Sequence, residues 1–235
     1  MYLPIKYLLD FLVAIIVLFL LFPLYIPIII ILLFTGEGKV FYRQDRIGFH
    51  KQKFKIWKFA TMLKNSPNMG TGSLTLRNDP RVTIVGKYLR KNKINELPQL
   101  LNLLTGDMSF IGPRPQMKVD FEAFPVDIQE SIYNVRPGIT GVGSIVFRDE
   151  ERLLSVAGRD PRLFYVDHIA PYKGAVEIWY QKHLSFWTDL RLVFLTVWVI
   201  LRPESNLHFR VFRDLPDFPE VLQKGCLTSV FIRQD

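Results

Sequence analysis

Twenty-four consecutive residues without a charge, Phe11 to Phe34, constrain this chain more than any other feature. As a straight helix they rise roughly 36 Å, enough to cross a hydrocarbon core of about 30 Å. The run is too long for the apolar part of a secretory signal, and no small-residue cleavage site follows it. Pro23 and Pro27 interrupt it. Each removes a backbone donor and crowds the preceding turn, so a bend is expected near Phe22–Pro23. A bent helix can enter a bilayer and return to the same side, or it can be a kinked span; proline position alone does not choose. Charge favours neither orientation of a span, because Lys6 precedes the run while Lys39 and Arg43 follow it. Cytoplasmic placement of both ends accounts for that distribution. Asp10 stands at the mouth of the run, with Lys6 one turn earlier on the same face.

Beyond Gly36 and Gly38 the pattern is that of one mostly α-helical domain carrying a small β-hairpin. Val40–Gln44 and Lys53–Phe59 read as strands, the second with Phe54 and Ile56 alternating against Lys53 and Lys55. Ile47–Gln52 contains Gly48 and reads as the turn between them. Ser66–Asn78, rich in Ser, Asn, Gly and Thr, reads as a mobile surface loop. Val82–Lys91 is a candidate helix. Asn95–Leu104 has helical spacing through Leu97, Leu100, Leu101 and Leu104, and Pro98 is tolerable only in a first turn. That places Asn95 or Glu96 at a helix N-terminus. A second apolar stretch, 183–201, repeats Trp187, Leu190, Phe194, Val197 and Leu201 at helical spacing. Asp189 and Arg191 make it a poor span. It reads as a buried core helix or as a helix lying in a membrane interface, and the tryptophans with flanking Lys182 and Arg202 favour the second. The organisation expected is a membrane helix over 1–35, a domain over 36–201, and a segment 202–235 with no assigned role.

The 235 residues carry a net charge of +8, which suggests an anionic partner such as lipid headgroups or nucleotide phosphates. Cys226 is the lone cysteine, so no internal disulfide forms. There is no Walker loop, dinucleotide glycine fingerprint, zinc spacing or nucleophile elbow. His50, His168, His183 and His208 lack metal-ligand spacing, and no nucleic-acid module accompanies the basic charge.

What the chain does contain is an ordered series of short motifs: RQDRIG (43–48), KIWKFATM (55–62), NDPRVTIVGKYLRK (78–91), INELPQLLNLLTGDMSFIGPRP (94–115) and VRPGITGVGS (135–144). In this order it resembles the bacterial sugar transferases that act on polyprenyl phosphate, the monotopic phosphoglycosyl transferases. The resemblance runs from Lys6 to about residue 201. It implies transfer of a sugar 1-phosphate from a UDP-sugar to undecaprenyl phosphate, with release of UMP, at the start of a surface glycan. It implies a re-entrant helix broken at Pro23 with both ends cytoplasmic, interfacial helices, magnesium as cofactor, and a place at the cytoplasmic face of the bacterial inner membrane. The expected partners are the UDP-sugar, undecaprenyl phosphate, the membrane and downstream glycosyltransferases. A homodimer stays open, and no nucleic acid is expected.

The chemistry of such a site asks for cations, because donor and acceptor both carry phosphate. Lys58, Arg81, Arg90, Arg114 and Arg136 lie in the matched motifs and are the candidate substrate-binding residues. A guanidinium holds two phosphate oxygens at once, and Arg114 sits between Pro113 and Pro115 on stiff backbone. Gly138, Gly141 and Gly143 either permit close backbone approach to a ligand or only make turns.

The chain departs from the resemblance at its centre. The family's catalytic pair is Asp-Glu, with the aspartate as nucleophile; here the pair is Asn95-Glu96. An uncharged amide is a poor nucleophile and a weaker magnesium ligand than a carboxylate. Asn95 and Glu96 remain the candidate catalytic and metal-holding residues, with Asp79 and Asp107 ranked below them. Three readings follow: transfer continues, with Glu96 as nucleophile or with direct attack by polyprenyl phosphate; the chain is a silent relative that binds substrate or partner enzymes; or Asn95 was introduced to trap a complex. Ala60 stands where the family usually has Arg, and Tyr7 where Arg usually follows Lys6. The acidic run Asp149, Glu150 and Glu151 reads as a metal site or, better, as a solvated face.

Overall fold

A computed structural model describes residues 2–70, 72–76, 78–156 and 160–225; Cys226 lies outside them. The element order is α1 (Tyr2–Leu33), β1 (Phe41–Ile47), β2 (Lys53–Phe59), α2 (Ile84–Lys91), α3 (Leu100–Leu104), β3 (Ser109–Ile111), α4 (Lys118–Phe121), α5 (Val126–Ser131), β4 (Gly138–Thr140), α6 (Val142–Val146), α7 (Glu150–Val156), α8 (Pro161–Phe164), α9 (Ala170–Lys182), α10 (Phe186–Leu201), α11 (Leu207–Val211) and α12 (Glu220–Gly225). A π-helical turn, Tyr165–Ile169, joins α8 to α9. The architecture is mostly α with a small antiparallel hairpin, as the patterning predicts.

Helical backbone continues through Pro23 and Pro27, so the break expected at Pro23 is not an interruption of the helix. Proline's fixed φ is itself helical, and the lost donor costs a hydrogen bond rather than the fold. By length and composition alone α1 is able to cross a membrane. One stripe of it packs on the domain along nearly its whole length. Ala14, Val17, Leu18 and Leu21 meet Ile56, Leu100, Leu103 and Met108. Tyr25, Ile28 and Leu32 meet Phe59 and Leu89. Near its start, Lys6 Nζ and the Tyr2 hydroxyl both donate to Asp189 Oδ2 at 2.6 Å. The opposite face exposes Leu8, Leu12, Ile16, Phe19, Leu20 and Phe22.

The hairpin pairs Phe41 with Phe59 and Ile47 with Lys53, so β1 starts one residue later and ends three residues later than the expected Val40–Gln44 and takes Ile47 from the expected turn. The surprise is a second sheet of two parallel strands, β3 and β4. Three glycines form its seam. A Cβ on Gly138 or Gly141 would collide with the backbone of Gly112, and one on Gly112 with the Arg136 carbonyl. These glycines therefore serve close approach of backbone to backbone.

The main core gathers around α9 and α10, where Val176, Tyr180, Leu192 and Leu195 are fully buried. The helix α10 answers both readings of its stretch. Leu192, Leu195 and Val199 are buried, whereas Trp187, Leu190, Phe194, Val197 and Leu201 face outward. Residues past 202 join the same core through Phe212, Leu215 and Leu222. The Trp179 indole donates to Asp214 at 3.0 Å and the Tyr172 hydroxyl to the Pro216 carbonyl at 2.8 Å.

The loop following Ser66 is drawn around one cation. The Arg81 guanidinium donates to the carbonyls of Ser66, Met69, Gly72 and Leu74 and pairs with Asp79 at 2.6 Å. Both side chains of that pair are 4% exposed.

Candidate active site

Asn95 and Glu96 lie in a 3-10 turn, Ile94–Gln99, and not at the N-terminus of the helix expected over 95–104. Pro98 inside that stretch supplies no N–H, so the chain tightens first and becomes α-helical only at Leu100. Lys93 precedes the turn in the left-handed region, at φ 58°. A lysine there is uncommon and pins the entry to the pair.

Glu96 faces cations. The Arg114 guanidinium donates to its Oε1 at 2.9 Å, and Lys58 Nζ lies 3.7 Å from the same oxygen. Burial by itself would raise the Glu96 carboxyl, but Arg114, Lys58 and Lys93 together hold it well below the usual carboxylate range. Burial draws Lys58 down to about 7 against the pull of Glu96, and Arg46, Arg114 and Arg90 reinforce the depression. A group of positive charges thus surrounds one carboxylate, an arrangement that lacks only more negative charge. Asn95 is 6% exposed, and its Oδ1 has no hydrogen-bond partner among the described residues.

Arg114 owes its position to its backbone. The backbone of the turn Pro113–Gln116 is fastened at each of its carbonyls and at the Gln116 N–H. Pro113 O accepts from Gly138 N–H and Gln116 O from Ile47 N–H, each at 2.9 Å. The Tyr133 hydroxyl donates to Arg114 O and accepts from Gln116 N–H, again at 2.9 Å. Arg46 donates to Pro115 O at 3.2 Å. The guanidinium is therefore preorganised before any ligand arrives.

The fold gathers Lys58, Arg114 and Glu96, with Arg90 close enough to lower Lys58 electrostatically. Arg90 also pairs with Glu151 at 2.9 Å. It places two other candidates elsewhere. Arg81 is committed to its loop, and Arg136 lies over the Tyr7 ring at 4.1 Å, with its backbone N–H donating to the Tyr7 hydroxyl. Asp79 binds Arg81, and Asp107 accepts from Thr105 at 2.6 Å, so both acids are already engaged. The acidic run 149–151 divides among Arg152, Lys173 and Arg90. No group of three His, Cys, Asp or Glu able to hold a metal ion occurs among the described residues. Sequence reading missed Arg46, Lys93 and Glu177. The first two lie within or beside quoted motifs; the third lies in none.

Comparison with known proteins settles the family, because the chain matches the bacterial sugar transferase family over residues 1–203. It is a member of the bacterial sugar transferase family. This sugar transferase is 35% identical over 194 residues to UDP-N-acetylgalactosamine-undecaprenyl-phosphate N-acetylgalactosaminephosphotransferase of Aeromonas hydrophila, covering 82% of this chain and 42% of that one. It is 34% identical to UDP-glucose:undecaprenyl-phosphate glucose-1-phosphate transferase of Escherichia coli K12, covering 80% of this chain and 38% of that protein. It thus spans about two-fifths of these longer relatives. Against exopolysaccharide production protein ExoY of Sinorhizobium fredii, also 34% identical, 81% of the relative is covered.

Proposed function

We propose that this sugar transferase moves a sugar 1-phosphate from a UDP-sugar to undecaprenyl phosphate at the cytoplasmic face of the bacterial inner membrane, beginning a surface glycan. The observation that carries the reading is the ring of cations about Glu96, on a preorganised turn, in a chain of this family. The acceptor phosphate oxygen attacks the β-phosphorus of the donor. The bond from that phosphorus to the bridging oxygen breaks, and UMP departs with the electron pair. No protein group need be phosphorylated, which suits Asn95. Glu96 is a weak alternative nucleophile, because its charge is already engaged by Arg114 and Lys58. Those two cations hold the diphosphate and offset the charge that gathers on the leaving UMP.

Magnesium is commonly held by one or two carboxylates together with substrate phosphates. The buried Asn95 Oδ1, without a partner among the described residues and next in sequence to Glu96, fits a magnesium that arrives with the diphosphate. Bound there, it would supply charge neutralisation on the phosphate oxygens.

The membrane reading rests on α1 and α10. A helix fastened to one body near its start and again at Tyr25–Leu32 does not leave that body to cross a bilayer alone. Its exposed face enters the lipid and both ends stay on one side, with the outward aromatic face of α10 lying in the same interface.

The decisive test is UMP release from a panel of UDP-sugars, with undecaprenyl phosphate and magnesium, by the nanodisc-held protein beside an Asn95→Asp variant. Release by the native sequence is the expected result. Release only by Asn95→Asp would replace this reading with that of a silent binding relative. A second expectation concerns protons. A phosphate seated beside Lys58 restores its charge, so binding of the donor at pH 8 takes up about one proton. Calorimetry in buffers of different ionisation heat reads that uptake, and Lys58→Arg removes it.

A further inference from the structure

Glu177 in α9 is 1% exposed and belongs to none of the sequence motifs. Its Oε1 accepts from the Arg114 backbone N–H at 3.4 Å, the one backbone polar group of the Pro113–Gln116 turn not accounted for above. Gly143 of α6 packs directly against the carboxyl. A Cβ at Gly143 would collide with Oε1, so a glycine there makes room for this contact. Oε2 is buried and has no partner among the described residues. A carboxyl used only as filler would not sit against the backbone of the arginine that binds Glu96.

We propose that Glu177 is a positioning residue, which fixes Arg114 for the phosphate by tying the Arg114 turn to α9. The inference rests on the phosphate-binding reading of Arg114 given above. Burial raises the Glu177 carboxyl to about 8, opposed by the Arg114 and Gly143 N–H groups and by Lys173. The clamp is therefore neutral at pH 7. The groups that face it are Arg114 from the turn, Lys173 from its own helix, Tyr180 beside it and Tyr133 across the core. Lys173 is itself paired with Glu150. A neutral clamp leaves the Arg114 charge to Glu96 and the ligand. An ionised one competes for it.

The experiment is equilibrium binding of UDP to the full chain in nanodiscs, for the native protein and for Arg114→Ala, Glu177→Gln and Glu177→Leu, at pH 7 and pH 8.5. Glu177→Gln keeps an acceptor oxygen and is expected to bind within about twofold of native at pH 7. Glu177→Leu removes the acceptor and is expected to bind about tenfold more weakly, with Arg114→Ala weaker still. From pH 7 to 8.5 the native protein is expected to lose affinity relative to Glu177→Gln; the ligand's own titration is common to both. Native-like binding by Glu177→Leu, or native and Gln variants that follow each other through pH, would overturn the proposal. If Glu177→Leu does not fold, the pH comparison with Glu177→Gln decides alone. A native chain that binds no UDP, or binds it equally after Arg114→Ala, overturns the phosphate-binding reading and this inference with it.

Discussion

Glu96→Gln is expected to cut UMP release by about a hundredfold or more while UDP-sugar binding stays equal or tightens. The substitution keeps the shape of the side chain and one acceptor oxygen. It removes the charge that Arg114 and Lys58 answer at 2.9 and 3.7 Å. Without that charge the Arg114 guanidinium is left unneutralised and attracts a diphosphate more strongly, while Lys58 loses the anion that helps it keep its proton. What is lost is alignment: the guanidinium and the ammonium no longer have a fixed anion to turn towards, so they follow the ligand instead of placing it. The split between binding and turnover is the diagnostic. Should both fall together, with a lowered melting temperature, Glu96 would be a structural anion and the proposed site would lose its centre.

The second large effect lies far from that centre. Removing residues 204–235 is expected to prevent folding of the domain. This stretch lies past the end of the family match at 203, yet it brings Phe212, Leu215 and Leu222 into the main core. Burial of a large apolar side chain contributes about 1.5–3 kcal/mol, and a whole domain is stable by only about 5–15 kcal/mol. Losing several such side chains, with the bonds to Asp214 and Pro216, therefore consumes most of the margin. A gentler version is Leu222→Ala, which at 0% exposure is expected to cost about 2–5 kcal/mol. In a chain of this size each kcal/mol lowers the melting temperature by about 2–4 °C. A truncated protein that melts cooperatively at the native temperature would show these contacts to be unnecessary.

Much of the architecture was legible because local rules and tertiary packing agreed. Alternation of Phe54 and Ile56 with lysines marked β2, and the uncharged run marked α1. The helix over 95–104 was misplaced because its leucine spacing outweighed a proline in the first turn. The parallel strands β3 and β4 escaped notice, since strands of three residues carry no periodicity and their pairing depends on glycines far apart in the chain. In the site, Lys58, Glu96 and Arg114 could be read from motifs. Membership of a motif did not predict proximity, however: Arg81 holds a loop and Arg136 rests on α1. Tyr7, a departure from the family wording, is what Arg136 stacks on. Glu177 had one faint signal, a lone carboxylate in the apolar run AVEIWY on the buried side of its helix.

The glycine seam between β3 and β4 also closes a ring of chain. Backbone bonds tie Gly112 to Thr140 at 3.0 Å and Pro113 to Gly138 at 2.9 Å, so residues 112–137 leave and return through one fixed neck. The far side of that ring is exposed at Glu122 and Pro125–Asp127, while Phe124 between them is held in the main core. Variation at those exposed positions alters what the rim of the domain meets. It is also where a label or a short inserted peptide is best carried.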